Sequence, residues 1–139
     1  MTEQTIQPTL LHSQADVEKF WTTICQPQGW RTPELWVVLV DAEGEPFPSV
    51  HHVPELPESP DRTTIDHLVH GCRRLLDELD AGGRVAMLLC RPGASAVTPF
   101  DKAWTRALVH GAHRVGVELE VVHVASDATI RPLPLDEVA

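Results

Sequence analysis

The chain contains no apolar run long enough to cross a membrane, and it is short of basic residues. Of its 139 residues, 20 are acidic and 11 are Lys or Arg, which gives a formal net charge of -9. Such a surface repels phosphate backbones, so we expect no nucleic-acid partner. A transmembrane helix needs about 20 apolar residues, so we expect no membrane partner either. Arg73, Arg74 and Arg84 are close enough in sequence to form a local basic spot.

The chain also lacks an apolar leader and any Cys-x-x-Cys pair. Residues 1–9 are polar and do not predict a signal peptide. Cys25, Cys72 and Cys90 are widely spaced and odd in number, which is typical of free thiols in a reducing compartment. We therefore expect a cytoplasmic protein whose cysteines are small buried hydrophobes.

The length predicts a single domain. We expect a flexible leader over residues 1–12, one domain over residues 13–135 and a tail over residues 136–139. The first predicted helix spans residues 14–26, with Ser13 at capping-box spacing before Asp16.

Two further helices are predicted from apolar residues at helical spacing. The second runs from a cap at Asp61 or Thr63 through Leu79, and Gly82-Gly83 is expected to end it in the left-handed conformation. The third begins at Thr98-Pro99-Phe100-Asp101, where Thr98 suits the cap and Asp101 the capping-box acid. Gly116 is expected to end it.

Five strands complete the pattern, over residues 35–40, 49–53, 85–89, 117–124 and 129–133. The first and third are continuously apolar, which is typical of strands buried on both faces. The fourth alternates apolar and acidic residues, which predicts a half-exposed strand. The order α, β, β, α, β, α, β, β predicts an α/β protein of the α+β type, with one mixed sheet of about five strands and three helices packed on it.

Several strings resemble the JAB/MPN (JAMM) domain, and within it the RadC-like branch. They are Glu34-Leu35-Trp36-Val37-Val38-Leu39-Val40-Asp41, Val85 to Arg91 with Pro92-Gly93, Thr98-Pro99-Phe100-Asp101, and Gly116-Val117-Glu118-Leu119. The resemblance covers about residues 33 to 131 and implies a cytidine-deaminase-like architecture. Active members of the family carry a Glu, then His-x-His-Pro, then Ser-x-x-Asp. The two His and the Asp bind zinc and leave one position open for a reactive water, which the Glu activates.

The metal motif of the family is missing from this chain. Leu89-Cys90-Arg91-Pro92 stands where His-x-His-Pro is expected, and the carried-over positions are Glu34, Leu89, Cys90, Arg91, Thr98 and Asp101. Leu89 cannot bind a metal, and Arg91 stays charged and repels a cation. We expect Arg91 and Asp101 to form an ion pair at the former metal position. The resemblance thus implies the fold and a pseudoenzyme without a cofactor.

Other residues offer weaker alternatives. His51, His52 and His123 are candidate metal ligands that could rebuild a hydrolase site with Asp101. The histidine pairs His67/His70 and His110/His113 have helical spacing and are expected to be surface or boundary residues.

Three further functional roles are possible: a nucleophilic cysteine, an anion-binding arginine and a tryptophan that contacts a protein partner. Cys90 and His123 could form a thiolate pair if they meet, and Arg91 could hold a small anion bidentately. Trp30 is a candidate anchor for a protein partner. The sequence favours a catalytically inactive domain that binds a protein partner or forms a homodimer. The alternatives are a metal-dependent hydrolase and a small-anion-binding protein.

Overall fold

Three helices and five strands follow one another in the predicted order. In the computed structural model, which describes residues 10–25, 29–78 and 82–134, they are α1 (Gln14–Ile24), β1 (Glu34–Val40), β2 (Pro46–Val53), α2 (Arg62–Glu78), β3 (Arg84–Cys90), α3 (Pro99–Arg114), β4 (His123–Ala125) and β5 (Ile130–Pro132). The predicted α+β class, with one mixed sheet, is confirmed. Among the described helices, none combines the length and apolar character that crossing a membrane requires.

The sheet has the strand order β2-β1-β3-β4-β5. β1 pairs antiparallel with both β2 and β3, β3 pairs parallel with β4, and β4 pairs antiparallel with β5. β2 and β5 are therefore the two edges. β5 has only three residues, whereas β2 has eight and begins at Pro46, three residues before the predicted start at Ser49.

Both faces of the sheet are covered, because the apolar runs of β1 and β3 supply side chains to each side. Leu35 and Val37 of β1 face a core shared with α2 and α3. Val38 and Val40 face a second core shared with α1. The expectation of strands buried on both faces is confirmed for β1 and β3.

Local sequence signals fix most helix ends. Ser13 Oγ accepts from the Asp16 N–H at 3.1 Å, as the predicted cap requires. Asp61 caps α2 by accepting from the Thr64 N–H at 3.0 Å. Gly116 follows α3 with a φ of +73°, which favours glycine.

Gly83 has a different role from the predicted one. Its φ is not in the left-handed region, and a Cβ at this position would lie 2.4 Å from the Val40 carbonyl oxygen. Glycine is required there because the backbone passes close to β1, and the expected left-handed termination by Gly83 is wrong. Residues 26–28 and 79–81, at the ends of the first two predicted helices, lie outside the described part of the chain.

The strand predicted over residues 117–124 is wrong in its first part. Only His123–Ala125 forms a strand, and Leu119 makes an isolated bridge to Val85. Val117 and Val122 are both buried in the core beneath α2 and α3. Residues five apart in one continuous strand face opposite sides, so the backbone has to depart from strand geometry between them.

The packed part of the chain begins before Ser13. Leu11 is fully buried, and its N–H donates to the Gly44 carbonyl at 2.6 Å. Residues 11–12 therefore belong to the folded unit and not to a leader. Residues 1–9 of the predicted leader, residue 135 and the predicted tail over residues 136–139 lie outside the described residues.

Candidate functional site

The carboxyl end of β3 brings Arg91 to the start of α3. The Arg91 N–H continues the strand pairing by donating to the Ala125 carbonyl of β4 at 3.0 Å. Side chains alternate along a strand, so Arg91 lies on the same face as Leu89, which is the face covered by α2 and α3. Asp101 reaches the same place from the first turn of α3.

Arg91 and Asp101 form a buried, bidentate ion pair. Arg91 Nε donates to Asp101 Oδ1 at 2.7 Å, and Nη2 donates to Oδ2 at 2.8 Å. The Arg91 side chain is 7% exposed and that of Asp101 is 0% exposed. The ion pair expected from the sequence is confirmed. Two parallel bonds between matching planar groups are the strongest form of this contact.

The other donors of Arg91 are used within the loop that follows β3. Nη1 donates to the carbonyls of Pro92 and Ala94 at 3.2 and 2.8 Å, and Nη2 donates to Ala96 O at 2.9 Å. A guanidinium has five N–H groups, so each has an internal acceptor. An anion would have to displace Asp101 or a loop carbonyl, and the geometry does not favour the small-anion alternative.

Asp101 also closes the capping box of α3. Its Oδ2 accepts from the Thr98 N–H at 3.0 Å, and Thr98 Oγ1 accepts from the Asp101 N–H at 3.1 Å. The predicted cap at Thr98, followed by Pro99 at the first helical position, is confirmed. One carboxylate therefore serves both as the helix cap and as the partner of Arg91.

Glu34, the position matched to the family's acid, lies on the other face of the sheet. It pairs across the sheet with Cys90, whose side chain belongs to the core beneath α1. The Glu34 carboxylate accepts from Trp36 Nε1 at 2.5 Å and lies 3.9 Å from His52 Nδ1. The residues carried over from the resemblance are therefore divided between the two faces, and Glu34 does not share a face with the ion pair.

The candidate metal ligands do not converge. His51 lies opposite Val37 and His52 opposite Trp36, so the two imidazoles point to opposite faces as predicted. His123 is fully buried among apolar residues beneath α1. Within residues 10–25, 29–78 and 82–134, no group of three or more His, Cys, Asp or Glu side chains is placed to hold a metal ion. The geometry does not favour a rebuilt hydrolase site.

His123 is held as a neutral imidazole. Its Nδ1 donates to the Val121 carbonyl at 3.1 Å, and its buried Nε2 has no hydrogen-bond partner among the described residues. Burial lowers the pKa of His123, although the Val121 carbonyl and the charge of Glu18 act in the opposite direction.

The three cysteines are buried and do not form thiolates at neutral pH. Burial raises the pKa of Cys25 to about 12 and that of Cys72 to about 11. Burial, together with Cys25 and Glu34, also raises the pKa of Cys90. Cys90 is paired with Ala125, whereas His123 lies two residues earlier on β4. These positions do not favour a Cys90–His123 nucleophile.

Trp30 packs inside the molecule. It is partly buried, and its ring stands at 90° to that of Trp36 with centroids 5.5 Å apart. The backbone N–H of Trp30 donates to Asp127 Oδ1 at 3.4 Å. The other oxygen of Asp127 accepts from the Gly93 N–H at 2.8 Å. Asp127 thus links the Trp30 segment to the loop that holds Arg91, a role that its place in a turn sequence did not reveal. These contacts do not favour Trp30 as an exposed anchor.

An apolar groove lies between the edge strand β2 and helix α2. Two adjoining cavities of about 310 and 190 Å³ share Val53, His67 and Leu68 as lining residues. His51 and Leu75 line the smaller cavity. We call this the edge groove, defined by His51, Val53, His67, Leu68 and Leu75. The groove was not predicted from the sequence, although residues 46–54 carry no Asp, Glu, Lys or Arg.

Substitution Asp101→Asn is expected to destabilise the protein by about 3–5 kcal/mol, because it leaves the buried charge of Arg91 without its counter-ion. Urea unfolding followed by circular dichroism measures the loss. The control Asp66→Asn breaks ion pairs with Arg62 and Arg114 that are exposed to solvent, and its effect is expected to be much smaller. Equal stability of Asp101→Asn and the native chain would contradict a structural role for the pair.

The protein is expected to lose stability as the pH falls below about 6.5, the ordinary value for histidine. Since burial lowers the pKa of folded His123, the unfolded chain binds the proton first. The contribution of His123 to stability is complete above about pH 6.5 and is lost as the pH falls towards the lowered pKa of the folded state. His123→Phe is expected to reduce this slope in thermal unfolding, and the exposed control His70→Gln is not. An unchanged slope in His123→Phe would contradict the assignment.

The thiols of the folded protein are expected to resist Ellman's reagent at mildly alkaline pH, because burial disfavours the reactive thiolate. In urea all three are expected to react at the rate of an exposed cysteine. One thiol that reacts rapidly in the folded protein, and no longer does so in Cys90→Ser, would restore the nucleophile hypothesis.

No protein-family model matches the chain, and no curated protein matches it either. Function is therefore inferred from the chemistry of the Arg91–Asp101 pair and from the surfaces that the fold exposes.

Proposed function

We propose that the chain is a catalytically inactive JAB/MPN-like domain that acts as a self-associating interaction module. The observation that carries the proposal is the closed hydrogen-bond network of Arg91 and Asp101. Both carboxylate oxygens and all five guanidinium N–H groups are engaged internally. The side chains at the position of the family's metal motif thus hold the loop and α3 together.

The edge groove and the adjoining edge of β2 support self-association as the function of the domain. No strand in the described part of the chain pairs with the outer side of β2, so its backbone groups can pair with another strand. Exposed edges are commonly protected by charged side chains, and residues 46–54 carry none. Pro46 and Pro48 lack N–H groups, which limits pairing to the second half of the strand.

The net charge of the chain favours a second copy as the partner that binds at the edge groove. Two molecules with a formal net charge of -9 repel each other at long range, so they have to meet over an uncharged surface. Antiparallel pairing of β2 with β2 gives a two-fold interface that closes as a dimer. The exposed Leu75 in the edge groove is then available to contact the partner copy.

Sedimentation velocity over a concentration series tests this proposal. The native chain is expected to dimerise, and Leu75→Lys is expected to weaken the dimer at least about tenfold, or about 1.4 kcal/mol. Leu10→Lys is the matched control, because Leu10 is 44% exposed and Leu75 is 38% exposed. A native chain that stays monomeric, or equal weakening by both substitutions, would overturn self-association through the edge groove.

Elemental analysis of protein purified without a histidine tag tests the other half of the proposal. No stoichiometric transition metal is expected. A bound metal that is lost on Asp101→Ala, in a variant that remains folded by circular dichroism, would favour the metal-dependent hydrolase instead.

A further inference from the structure

His51 lies at the middle of the part of β2 that can pair with another strand along its whole length. Pro48 precedes this part and Pro54 follows it. Proline has no N–H group to donate to a neighbouring strand. Residues 49–53 are therefore the segment over which two copies of β2 can form a complete antiparallel ladder.

The two-fold symmetry of the proposed dimer places His51 opposite its own copy. Side chains that oppose each other across an antiparallel pair point to the same face of the sheet. A two-fold axis between the strands then requires one residue to oppose itself, and in a segment of five residues paired along its whole length this is the third. Over residues 49–53 the third residue is His51, whereas His52 lies opposite Val50 of the second copy.

His51 lies on the face of the sheet that α2 covers, beside a cavity that no acidic side chain of the described chain lines. β1 contributes only apolar side chains to this cavity, and the titratable side chains that α2 contributes are His67 and Cys72. Burial raises the pKa of Cys72 to about 11, so its thiol is uncharged near neutral pH. His51 takes part in none of the ion pairs formed among the described residues.

The two other histidines near this edge each have a carboxylate nearby. His52, on the opposite face of the sheet, lies 3.9 Å from Glu34. The hydrogen bonds of the α2 cap and, less strongly, the charge of His67 lower the pKa of Asp61, so Asp61 is close enough to offset a charge on His67. His51 is therefore the histidine of this edge whose protonation acts most directly on a second copy.

We propose that protonation of His51 switches the self-association of the chain, so that the dimer forms near neutral pH and dissociates in mild acid. Histidine is the side chain whose charge ordinarily changes between about pH 5 and 8. Side chains directly opposite each other in an antiparallel pair have Cβ atoms about 5 Å apart, and like charges in that position destabilise the pair. Two neutral imidazoles pack against each other across the axis, whereas two imidazolium groups repel. The inference rests on the proposed self-association through the edge groove.

The direction of this effect is opposite to that of the net charge. Because two protonated copies of His51 repel each other in the dimer, the dimer binds fewer protons than two free chains, and association weakens as the pH falls. The formal net charge of -9 becomes less negative in acid, which reduces the repulsion between whole molecules and strengthens association. The sign of the pH dependence therefore separates a switch at His51 from a general effect of charge.

Sedimentation velocity of the full-length chain at about pH 8 and about pH 5.5, at equal ionic strength, tests the switch. The dissociation constant of the native dimer is expected to be at least about fivefold larger at the lower pH. His51→Gln stays neutral and is expected to dimerise at both pH values. His52→Gln, the matched control, removes the neighbouring exposed histidine and is expected to keep the native pH dependence. Circular dichroism checks that each sample is folded, and His123 is present in all of them, so it cannot cause a difference between variants.

Cysteine cross-linking tests the register independently of pH. His51→Cys is expected to give a disulfide-linked dimer under mild oxidation, because residue 51 opposes its own copy. His52→Cys is not, because the two copies of residue 52 are offset diagonally by about 7–8 Å, which is longer than a disulfide spans. The native cysteines are buried and do not compete.

A native dimer whose dissociation constant is the same at both pH values, or smaller in acid, would overturn the switch and leave self-association in place. An equal pH dependence in His51→Gln would overturn it as well, because another group would then be responsible. Equal cross-linking of the two cysteine variants would refute the register that places His51 at the axis. A native chain that is monomeric at about pH 8 would overturn the proposed function and this inference together.

Discussion

The bidentate contact between Arg91 and Asp101 joins three parts of the molecule that are separate in sequence. Arg91 continues the β3–β4 pairing, its guanidinium is bound by carbonyls of the loop after β3, and its counter-ion caps α3. Neither partner is stable alone in this position, because a buried charge without a counter-ion costs several kcal/mol. The end of the central strand and the start of the helix are therefore fixed together.

The same electrostatic requirement explains how an arginine can stand where the resemblance implies a metal. A buried carboxylate such as Asp101 needs a cation. A zinc ion held by two histidines would supply that charge. Arg91 supplies it as part of the chain and stays charged at any physiological pH. The five N–H groups of the guanidinium then donate to Asp101 and to the carbonyls of Pro92, Ala94 and Ala96.

Local signals in the sequence predicted the helices and strands, and the family resemblance suggested the ion pair. The features that were missed depend on packing between distant segments. Thr98 and Asp101 form a capping box by their spacing alone, and alternation predicted that His51 and His52 would diverge. Val117, Leu119 and Val121 alternate with acidic residues in the sequence. The backbone nevertheless leaves strand geometry before Val122. The role of Gly83 depends on the approach of β1, and that of Asp127 depends on two loops far from it in sequence. These contacts join segments that are far apart in sequence, so the sequence of one segment does not reveal them.

The structure does not favour the local basic spot suggested by Arg73, Arg74 and Arg84. Arg73 and Arg84 are engaged by Asp77 and Glu120, respectively. The basic positions that share one exposed face are spaced by whole helical turns along α3, at Lys102, Arg106 and His110. Which way these residues face depends on how α3 is rotated about its axis, and the buried Asp101, Trp104 and Leu108 lie on the inward side. The ion pair of Asp101 with Arg91 and the apolar packing of α3 therefore act together to place Lys102, Arg106 and His110 on the solvent side.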